Sequence, residues 1–313
     1  MVPTIVKRAA APRGHRGAQT RRSPSHRKDW RLALVLIAPA SVGFLVFAVY
    51  PVLRAIYLSF TNFRILSPPV WAGLANYREL FSDSVFWASL RVTVYFVVLS
   101  VGIGIVISLL TAVILHRLTR STVIRGLVIL PFLISGVVAG LVWQWMLDPE
   151  LGIVNIVLKA VTGHTVMFLG SSTWVIPSVA LISVWKSMGY NAILIFAGLQ
   201  TIPGEIYEAA RIDGAGEVRM FRRLTLPLLR PIMAMVIILT IISAFQVFDI
   251  VQVTTKGGPA NASNVLPMYI YTTGFSQFDF GYAITMSMAL FVMLLAITFF
   301  QMRLMRANDT HMS

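Results

Sequence analysis

The sequence predicts an all-α membrane protein with six transmembrane helices, and three observations support that fold class. The 313 residues are 57% hydrophobic and only 12% charged, whereas an average soluble domain is about 25% charged. The apolar residues are concentrated in runs long enough to cross a bilayer, which takes about 20 residues of helix. Lysines and arginines cluster between those runs. A soluble fold of this length cannot bury so much apolar surface.

Each apolar run is predicted to form one helix, because backbone groups inside a bilayer must satisfy their hydrogen bonds within their own segment. The six runs cover residues 32–57, 91–115, 122–147, 174–199, 229–251 and 280–302. Pro131 lies within the third run, where membrane helices tolerate kinks. The runs define a transmembrane domain at residues 32–305, followed by a cytoplasmic C-terminal tail at residues 306–313.

The distribution of positive charge predicts the orientation of the helices. If the N-terminus is cytoplasmic, the inner segments hold roughly three times as many lysines and arginines as the outer ones. Both termini and the loop at residues 200–228 then lie in the cytoplasm of a multi-pass protein of the cytoplasmic (inner) membrane. The outer loops, 58–90 and 148–173, carry aromatic residues that are interpreted either as interface anchors or as a docking surface for an external partner.

Residues 1–31 differ from the rest of the chain. They contain nine lysines and arginines together with proline, glycine and serine, and they lack apolar periodicity. This composition predicts a disordered, basic cytoplasmic tail that contacts anionic lipid headgroups. The net charge of +14 is explained by cytoplasmic segments of a membrane protein, so no nucleic-acid partner is expected.

The residues that carry enzyme chemistry do not form recognisable motifs in this sequence. There is no cysteine, and the five histidines are scattered without metal-ligand spacing. No glycine-rich phosphate-binding loop of the G-x-x-x-x-G-K-[ST] type is present. We therefore expect no enzymatic activity, no metal site and no cofactor bound by this chain.

A polar segment at residues 204–223 separates the fourth and fifth apolar runs. Acidic residues and arginines alternate within it, and Gly214 and Gly216 interrupt its helical propensity. Pro203 and Pro227 bracket the segment. The pattern predicts a short helix, a turn and a second short helix. Taken alone, it also fits a solvated hairpin held by local ion pairs.

The order of residues in this segment resembles a known signature. The matching residues are Glu208, Ala209, Ala210, Gly214, Leu224, Leu226 and Pro227. Their spacing is similar to that of the cytoplasmic loop in integral-membrane permeases of binding-protein-dependent ABC importers. Further motifs resemble the carbohydrate branch of that family, which includes the maltose and glycerol-3-phosphate systems. These motifs are residues 198–203, 212–215, 248–249 and 254–259. The similarity extends over roughly residues 30–305.

The resemblance implies a fold, a mechanism and partners. The fold is the six-helix importer (MetI-like) permease domain. The partners are a second permease in a heterodimer, two cytoplasmic ABC ATPase subunits that bind the ATP, and an extracytoplasmic substrate-binding protein. A helix from Ile206 to Gly214 is expected to dock on one ATPase. The residues expected to couple the chain to that ATPase are Glu208, Ala209, Ala210, Asp213, Gly214, Leu226 and Pro227.

Polar residues inside the fourth and fifth runs are candidates for the substrate pathway, because such residues usually face a cavity or a partner helix. They are Lys186, Tyr190, Asn191, Gln246 and Asp249. Trp185 and Phe245 add flat surfaces that suit sugar rings. Alternative roles remain open: Lys186 as a residue that snorkels to the interface, and Asn191 and Gln246 as interhelical hydrogen-bonding residues. Asp249 is also a candidate ion-pair partner of Lys186 or Lys256.

These observations favour a permease subunit that imports a carbohydrate and forms half of the translocation pathway. An importer of glycerol-3-phosphate or another polyol is the first alternative, since the quoted motifs do not separate these solutes. An ion-coupled secondary transporter that uses Lys186 or Asp249 is the second, although it leaves the polar segment at residues 204–227 unexplained.

Overall fold

The computed structural model describes residues 26–65, 67–118 and 121–309, and most of them are helical. The chain divides into two compact units, residues 1–54 and 55–313. We describe each unit separately.

The first unit contains the N-terminal helix. Helix α1 (His26–Phe44) continues through a π-helical turn (Leu45–Val49) into α2 (Tyr50–Ser59), whose end belongs to the second unit. Residues Ala33–Ser59 are long and apolar enough to cross a membrane, in agreement with the first predicted span. Because α1 begins at His26, the last residues of the predicted 1–31 tail are helical, whereas residues 1–25 lie outside the described part of the chain.

The second unit opens with a small β-hairpin, which adds strands to a fold predicted as all-α. Strands β1 (Thr61–Arg64) and β2 (Ser67–Trp71) pair antiparallel, and helix α3 (Ala75–Ser82) follows. The buried Asn76 amide donates to the carbonyls of Ser59 at 3.1 Å and Thr61 at 3.0 Å, which ties α3 to the hairpin. All of these elements lie in the predicted 58–90 loop.

Helices form most of the remaining structure. Between the hairpin and the polar segment these are α4 (Ser84–Leu118), α5 (Thr122–Leu133), α6 (Gly136–Met146), α7 (Ile153–Thr162) and α8 (Val175–Gln200). The polar segment contains α9 (Gly204–Ile212), α10 (Glu217–Met220), a π-helical turn (Phe221–Thr225) and α11 (Leu226–Leu228). The rest comprises α12 (Arg230–Phe245), α13 (Asp249–Thr254), α14 (Leu266–Tyr271), a π-helical turn (Thr272–Ser276) and α15 (Phe280–Asp309).

The third predicted span is not a single straight helix. Its two halves, α5 and α6, meet at a bend of 92°. Ile134 and Ser135 between them are extended, with ψ near 140°, so the helix is interrupted three residues after the predicted kink site at Pro131. Within the described residues, five helical stretches are each long and apolar enough to span a membrane, and there are six if the bent pair counts as one span.

Two apolar clusters hold the second unit together, one toward each end of the packed pair α4 and α8. The first contains Phe96 of α4 and Ile182 of α8, together with residues from α12 to α15. The second contains Leu115 of α4 and Ile195 of α8, together with the start of α12. Large apolar side chains elsewhere on these helices are exposed, as expected for surfaces that contact lipid.

Asp83, just before α4, joins three elements at one end of the first cluster. Its Oδ2 accepts hydrogen bonds from the hydroxyls of Tyr269 on α14 and Tyr282 on α15, both at 2.7 Å. Burial by itself raises the pKa of the Asp83 carboxyl. The hydrogen bonds from Tyr282, Tyr269 and the backbone amides of Val85 and Phe86 outweigh that effect, so the pKa falls below its ordinary value of 3.8.

Tyr269→Phe is therefore expected to lower the free energy of unfolding by about 1–3 kcal/mol at neutral pH, because it removes a hydrogen bond to a charged group. A carboxyl with a lowered folded pKa stabilises the fold above pH 3.8 and loses that effect as pH falls through the folded value. The difference in the free energy of unfolding between wild type and Tyr269→Phe should therefore shrink as the pH falls below 3.8. Thermal unfolding of the detergent-solubilised chain as a function of pH measures it, and a pH-independent difference would contradict the assignment.

Candidate functional site

A cavity of about 400 Å³ opens among the helices of the second unit, and we call it the membrane cavity. Its walls come from α4, α5, α6, α8, α12 and α13. On α8 the lining runs from Ser183 to Asn191, directly between the residues that enter the first and second apolar clusters. The structure brings all the residues predicted for the substrate pathway into this lining, namely Lys186, Tyr190, Asn191, Gln246 and Asp249.

One wall of the membrane cavity is aromatic and cationic. The rings of Phe132 and Tyr190 stack with centroids 4.4 Å apart and planes at 11°. Lys186, one helical turn before Tyr190, places its Nζ 5.4 Å from the Phe132 ring centroid. This geometry directs the ammonium group toward the cavity wall, where it makes a cation–π contact. Phe132 stands at the end of α5, just before the bend.

Gln246 and Asp249 also line the cavity, and they flank the break between α12 and α13. Both residues are exposed to the cavity. Asp249 packs against the first residue of α6, since a Cβ on Gly136 would lie 3.0 Å from Asp249 Oδ2 and from its Cβ. The carboxylate thus lies beside a helix N-terminus, which favours a negative charge. Within the described residues Asp249 forms no ion pair with Lys186 or Lys256.

Asn191 differs from the other predicted pathway residues because it is 4% exposed. Its amide donates to Thr240 Oγ1 at 3.2 Å, and the Thr240 hydroxyl donates to the carbonyl of Val236 at 2.7 Å. This chain of hydrogen bonds joins α8 to α12. The interhelical role that the sequence left open for Asn191 is the one that its contacts favour.

The two aromatic residues that the sequence suggested beside the pathway, Trp185 and Phe245, lie outside the cavity lining. Trp185 packs edge-on against Trp143 at 5.5 Å, and Phe245 is buried in the first apolar cluster; neither belongs to the cavity lining. The aromatic residues of the lining are Phe96, Phe132, Tyr190 and Phe248. Phe132 could not be singled out beforehand, because it is one of many apolar residues in its run and its contact with Tyr190 joins two separate helices.

The polar segment folds as predicted into a helix, a turn and a second helix. Gly214 ends α9 in the left-handed conformation, with φ of +74°. The amide of Ala215 donates to the carbonyl of Ala210 at 2.9 Å, and that of Gly214 donates to Arg211 at 3.0 Å. These two bonds form a Schellman motif, the standard C-terminal cap that uses glycine. The turn therefore has a defined geometry set by Gly214.

A second cavity, of about 350 Å³, lies beside α9, and we call it the loop pocket. Glu208 and Arg211 of α9 line it together with Arg117 from the end of α4. Glu217 at the start of α10 accepts from Arg117 at 2.8 Å and pairs with Arg211 at 3.6 Å. Residue 117 therefore lies at the same end of the helices as the polar segment, as the charge distribution predicted.

Glu208 itself is exposed, and within the described residues it has no ion-pair partner in the loop pocket. Two apolar side chains of the same segment are also exposed, Ile212 by 86% and Val218 by 72%. Tyr207 is bound internally, since its hydroxyl lies 3.0 Å from Thr225 Oγ1. The segment is thus bound to its own chain through Tyr207, and it leaves Glu208, Ile212 and Val218 exposed.

The remaining predicted coupling residues lie on or next to these helices. Ala209, Asp213 and Gly214 are exposed along α9 and its cap, and Ala210 is half-buried. Leu226 and Pro227 open the short helix α11. Among the described residues, no group of three histidine, cysteine or acidic side chains has the arrangement of a metal site.

Comparison with known proteins identifies the chain. Residues 104–313 match the family model of the binding-protein-dependent transport system inner membrane component. The chain belongs to this family. It is therefore a transporter subunit rather than an enzyme, with the permease fold that the polar segment predicted.

Relatives are similar over most of their length. The chain is 34% identical to the sulfoquinovosyl glycerol permease SmoG of Agrobacterium fabrum over 90% of this chain and 92% of the relative. It is 32% identical to the trehalose/maltose permease MalF of Thermococcus litoralis, over 87% of this chain and 92% of that relative. A solved bacterial ABC transporter involved in import of the acidic polysaccharide alginate superposes with a TM-score of 0.79 at 25% identity, over 90% of this chain and 96% of that one.

Proposed function

We propose that this chain is a permease subunit of an ABC importer for a carbohydrate, and that it forms half of the translocation pathway. Two observations together support the proposal. The chain belongs to the permease family, and its membrane domain contains a cavity lined by polar and aromatic side chains. The permeases SmoG and MalF serve glycosides, which supports a sugar as the substrate class. The second permease of a heterodimer would supply the other half.

The membrane cavity is suited to a sugar. The stacked Phe132 and Tyr190 rings offer a flat apolar face, and Gln246 offers an amide donor and acceptor. A volume of about 400 Å³ is within the usual range for small-ligand sites. We assign Lys186, Tyr190, Gln246 and Asp249 to contacts with the solute, and Asn191 to positioning α8 against α12.

Energy for transport is proposed to come from two cytoplasmic ATPase subunits that bind the ATP. The surface presented by α9 and its cap, from Glu208 to Gly214, would dock on one of them. The exposed Ile212 side chain would add apolar area that a docked ATPase buries. ATP-driven closure would then move α9 and rock the attached spans, a two-state rigid-body change.

This proposal also assigns the termini, the 200–228 loop and the binding protein to the two sides of the membrane. Both termini and the 200–228 loop face the cytoplasm of an inner-membrane protein, and an extracytoplasmic binding protein delivers the solute to the opposite side. Residues 32–305 form the transporting domain. Family membership argues against the secondary-transporter alternative. Glycerol-3-phosphate remains the alternative solute.

Uptake by the complete importer in proteoliposomes tests the proposal. Wild type should accumulate a labelled sugar only with ATP inside and binding protein outside. Gln246→Ala should lower the uptake rate roughly tenfold, since it removes a hydrogen-bonding group from the cavity wall while the chain still assembles. Asn191→Ala serves as the contrast, because its main effect should be on thermal stability. Uptake kinetics unaltered by Gln246→Ala, or no uptake of any sugar, would contradict the assignment.

A further inference from the structure

The charges that line the membrane cavity are unequally compensated. Lys186 and Asp249 are the two ionised side chains of its lining among the described residues. The Asp249 carboxylate lies against the N-terminus of α6 at Gly136, where the backbone amides and the helix dipole stabilise negative charge. The negative charge thus has a partner built into the fold.

Lys186 has no equivalent partner. Within the part of the chain that the structure describes, its ammonium forms no ion pair, and its contact is with the face of the Phe132 ring. A cation–π contact compensates a positive charge less completely than a carboxylate does. A cation held inside a membrane domain is costly unless it is paired or hydrated. An anion that enters the cavity would therefore be stabilised most strongly beside the Lys186 ammonium.

That site adjoins the surface suited to a sugar ring. Tyr190 is one turn after Lys186 on α8, and its ring stacks on Phe132, over which the Lys186 ammonium lies. Because Lys186, Phe132 and Tyr190 line the same cavity, a solute that contacts the aromatic groups would bring an anionic substituent toward Nζ. The two features together recognise a hexose or polyol that carries a carboxylate, sulfonate or phosphate, rather than a neutral sugar.

We propose that Lys186 makes the membrane cavity selective for anionic solutes, by pairing with the charged substituent of the solute. The inference rests on the proposed function, because it assumes that the solute passes through this cavity. It adds a substrate class and names the residue that determines it.

Equilibrium binding to the assembled importer, without binding protein, tests the selectivity of the cavity itself. Saturation-transfer NMR in nanodiscs compares a glucuronate-containing disaccharide with the same disaccharide as its uncharged primary amide, and sn-glycerol 3-phosphate separates phosphate from sugar recognition. Wild type should bind the glucuronate form at least roughly tenfold more tightly than the amide, as expected for a charged hydrogen bond. In Lys186→Met the ratio should fall to about one.

Two further variants keep the test interpretable. Lys186→Arg retains the charge and should preserve the preference, and Lys159→Met removes an exposed lysine of α7 outside the cavity and should leave it unchanged. A wild-type importer that binds both disaccharides equally, or a preference that survives Lys186→Met, overturns the inference while leaving the proposed sugar route intact. Binding of neither disaccharide by wild type overturns the sugar assignment itself. Binding of glycerol phosphate alone supports a charge-selective site for the alternative solute.

Discussion

Glu208→Arg is expected to abolish transport and ATPase stimulation while the chain still inserts and assembles with its partner permease. Glu208 lies on an exposed face of α9 and has no ion-pair partner in the loop pocket among the described residues. The side chain is thus dispensable for the fold, and its charge is available to a separate chain. Reversal of a charge at a docking contact replaces attraction with repulsion, which costs several kcal/mol.

The measurement is the rate of ATP hydrolysis that the binding protein stimulates in the reconstituted complex, compared between wild type and each variant. We expect stimulation to fall at least roughly a hundredfold in Glu208→Arg, in line with several kcal/mol. Glu205→Arg is the matched control, because it makes the same change of charge on the same helix at an exposed position that does not line the loop pocket. Normal stimulation in Glu208→Arg, or equal loss in both variants, would contradict a specific role for Glu208.

A second variant in the same region separates the effect of docking on the ATPase from the effect of moving α10 within this chain. Arg117 and Glu217 form an ion pair that is half exposed on both sides, so its own contribution to stability should be below about 1 kcal/mol. Glu217→Gln is accordingly expected to leave the fold intact. If ATPase stimulation is lost in Glu208→Arg but retained in Glu217→Gln, the effect lies in the contact with the ATPase and not in the position of α10.

Gly189→Ala is expected to have the largest effect on stability. Gly189 is buried in α8 where α5 packs against it, and a Cβ there would clash with the carbonyl oxygen of Val128 and lie 3.2 Å from the Cα of Ile129. These are backbone atoms, so no side-chain rotation can relieve the clash. Overpacking a tight site typically costs about 1–3 kcal/mol, and this contact should fall at or above the upper end.

Thermal unfolding of the purified complex measures this effect. Gly126→Ala in α5 and Gly102→Ala in α4 are the controls, because a Cβ at either position meets no atom within 4 Å. Alanine also favours helix over glycine by about 1 kcal/mol, so the controls should be neutral or stabilised. An unchanged melting temperature in Gly189→Ala would show that α5 and α8 are not packed as described.

The same variant should also impair solute binding. Phe132 at the end of α5 stacks on Tyr190, which adjoins Gly189 in α8. A displacement of α5 by one methyl group would move the Phe132 ring away from its stacked position and from the Lys186 ammonium. Weaker binding of a sugar than in Gly126→Ala, measured at a temperature where both proteins are folded, is the expected result.

The polar segment was predictable in detail because its signals are local. Gly214 and the prolines that bracket the segment act on adjacent backbone, and the Schellman cap at Gly214 depends on residues within one turn. The spacing from Glu208 to Pro227 carries the family resemblance, which the family match confirms. The same is true of the spans, whose length and apolar composition are read directly from the chain.

The membrane cavity was predictable only in part. Polar residues inside apolar runs are unusual enough to be singled out, and all five candidates line the cavity. Their roles were not predictable, because a hydrogen bond such as that from Asn191 to Thr240 joins residues 49 positions apart. Whether Trp185 or Phe132 lines the cavity depended on how α5 packs against α8, a contact between residues far apart in the sequence.

The sequence by itself determined that the chain is a membrane permease of six spans with a polar segment that resembles an ATPase-docking loop. Hydrophobic length, charge distribution and turn residues act over a few neighbouring positions, so they can be interpreted without coordinates. Only the tertiary structure decided that Phe132 meets Lys186 and Tyr190, and that Asp249 rests on Gly136. Those contacts join distant segments, and they follow from how the helices pack and where one of them bends.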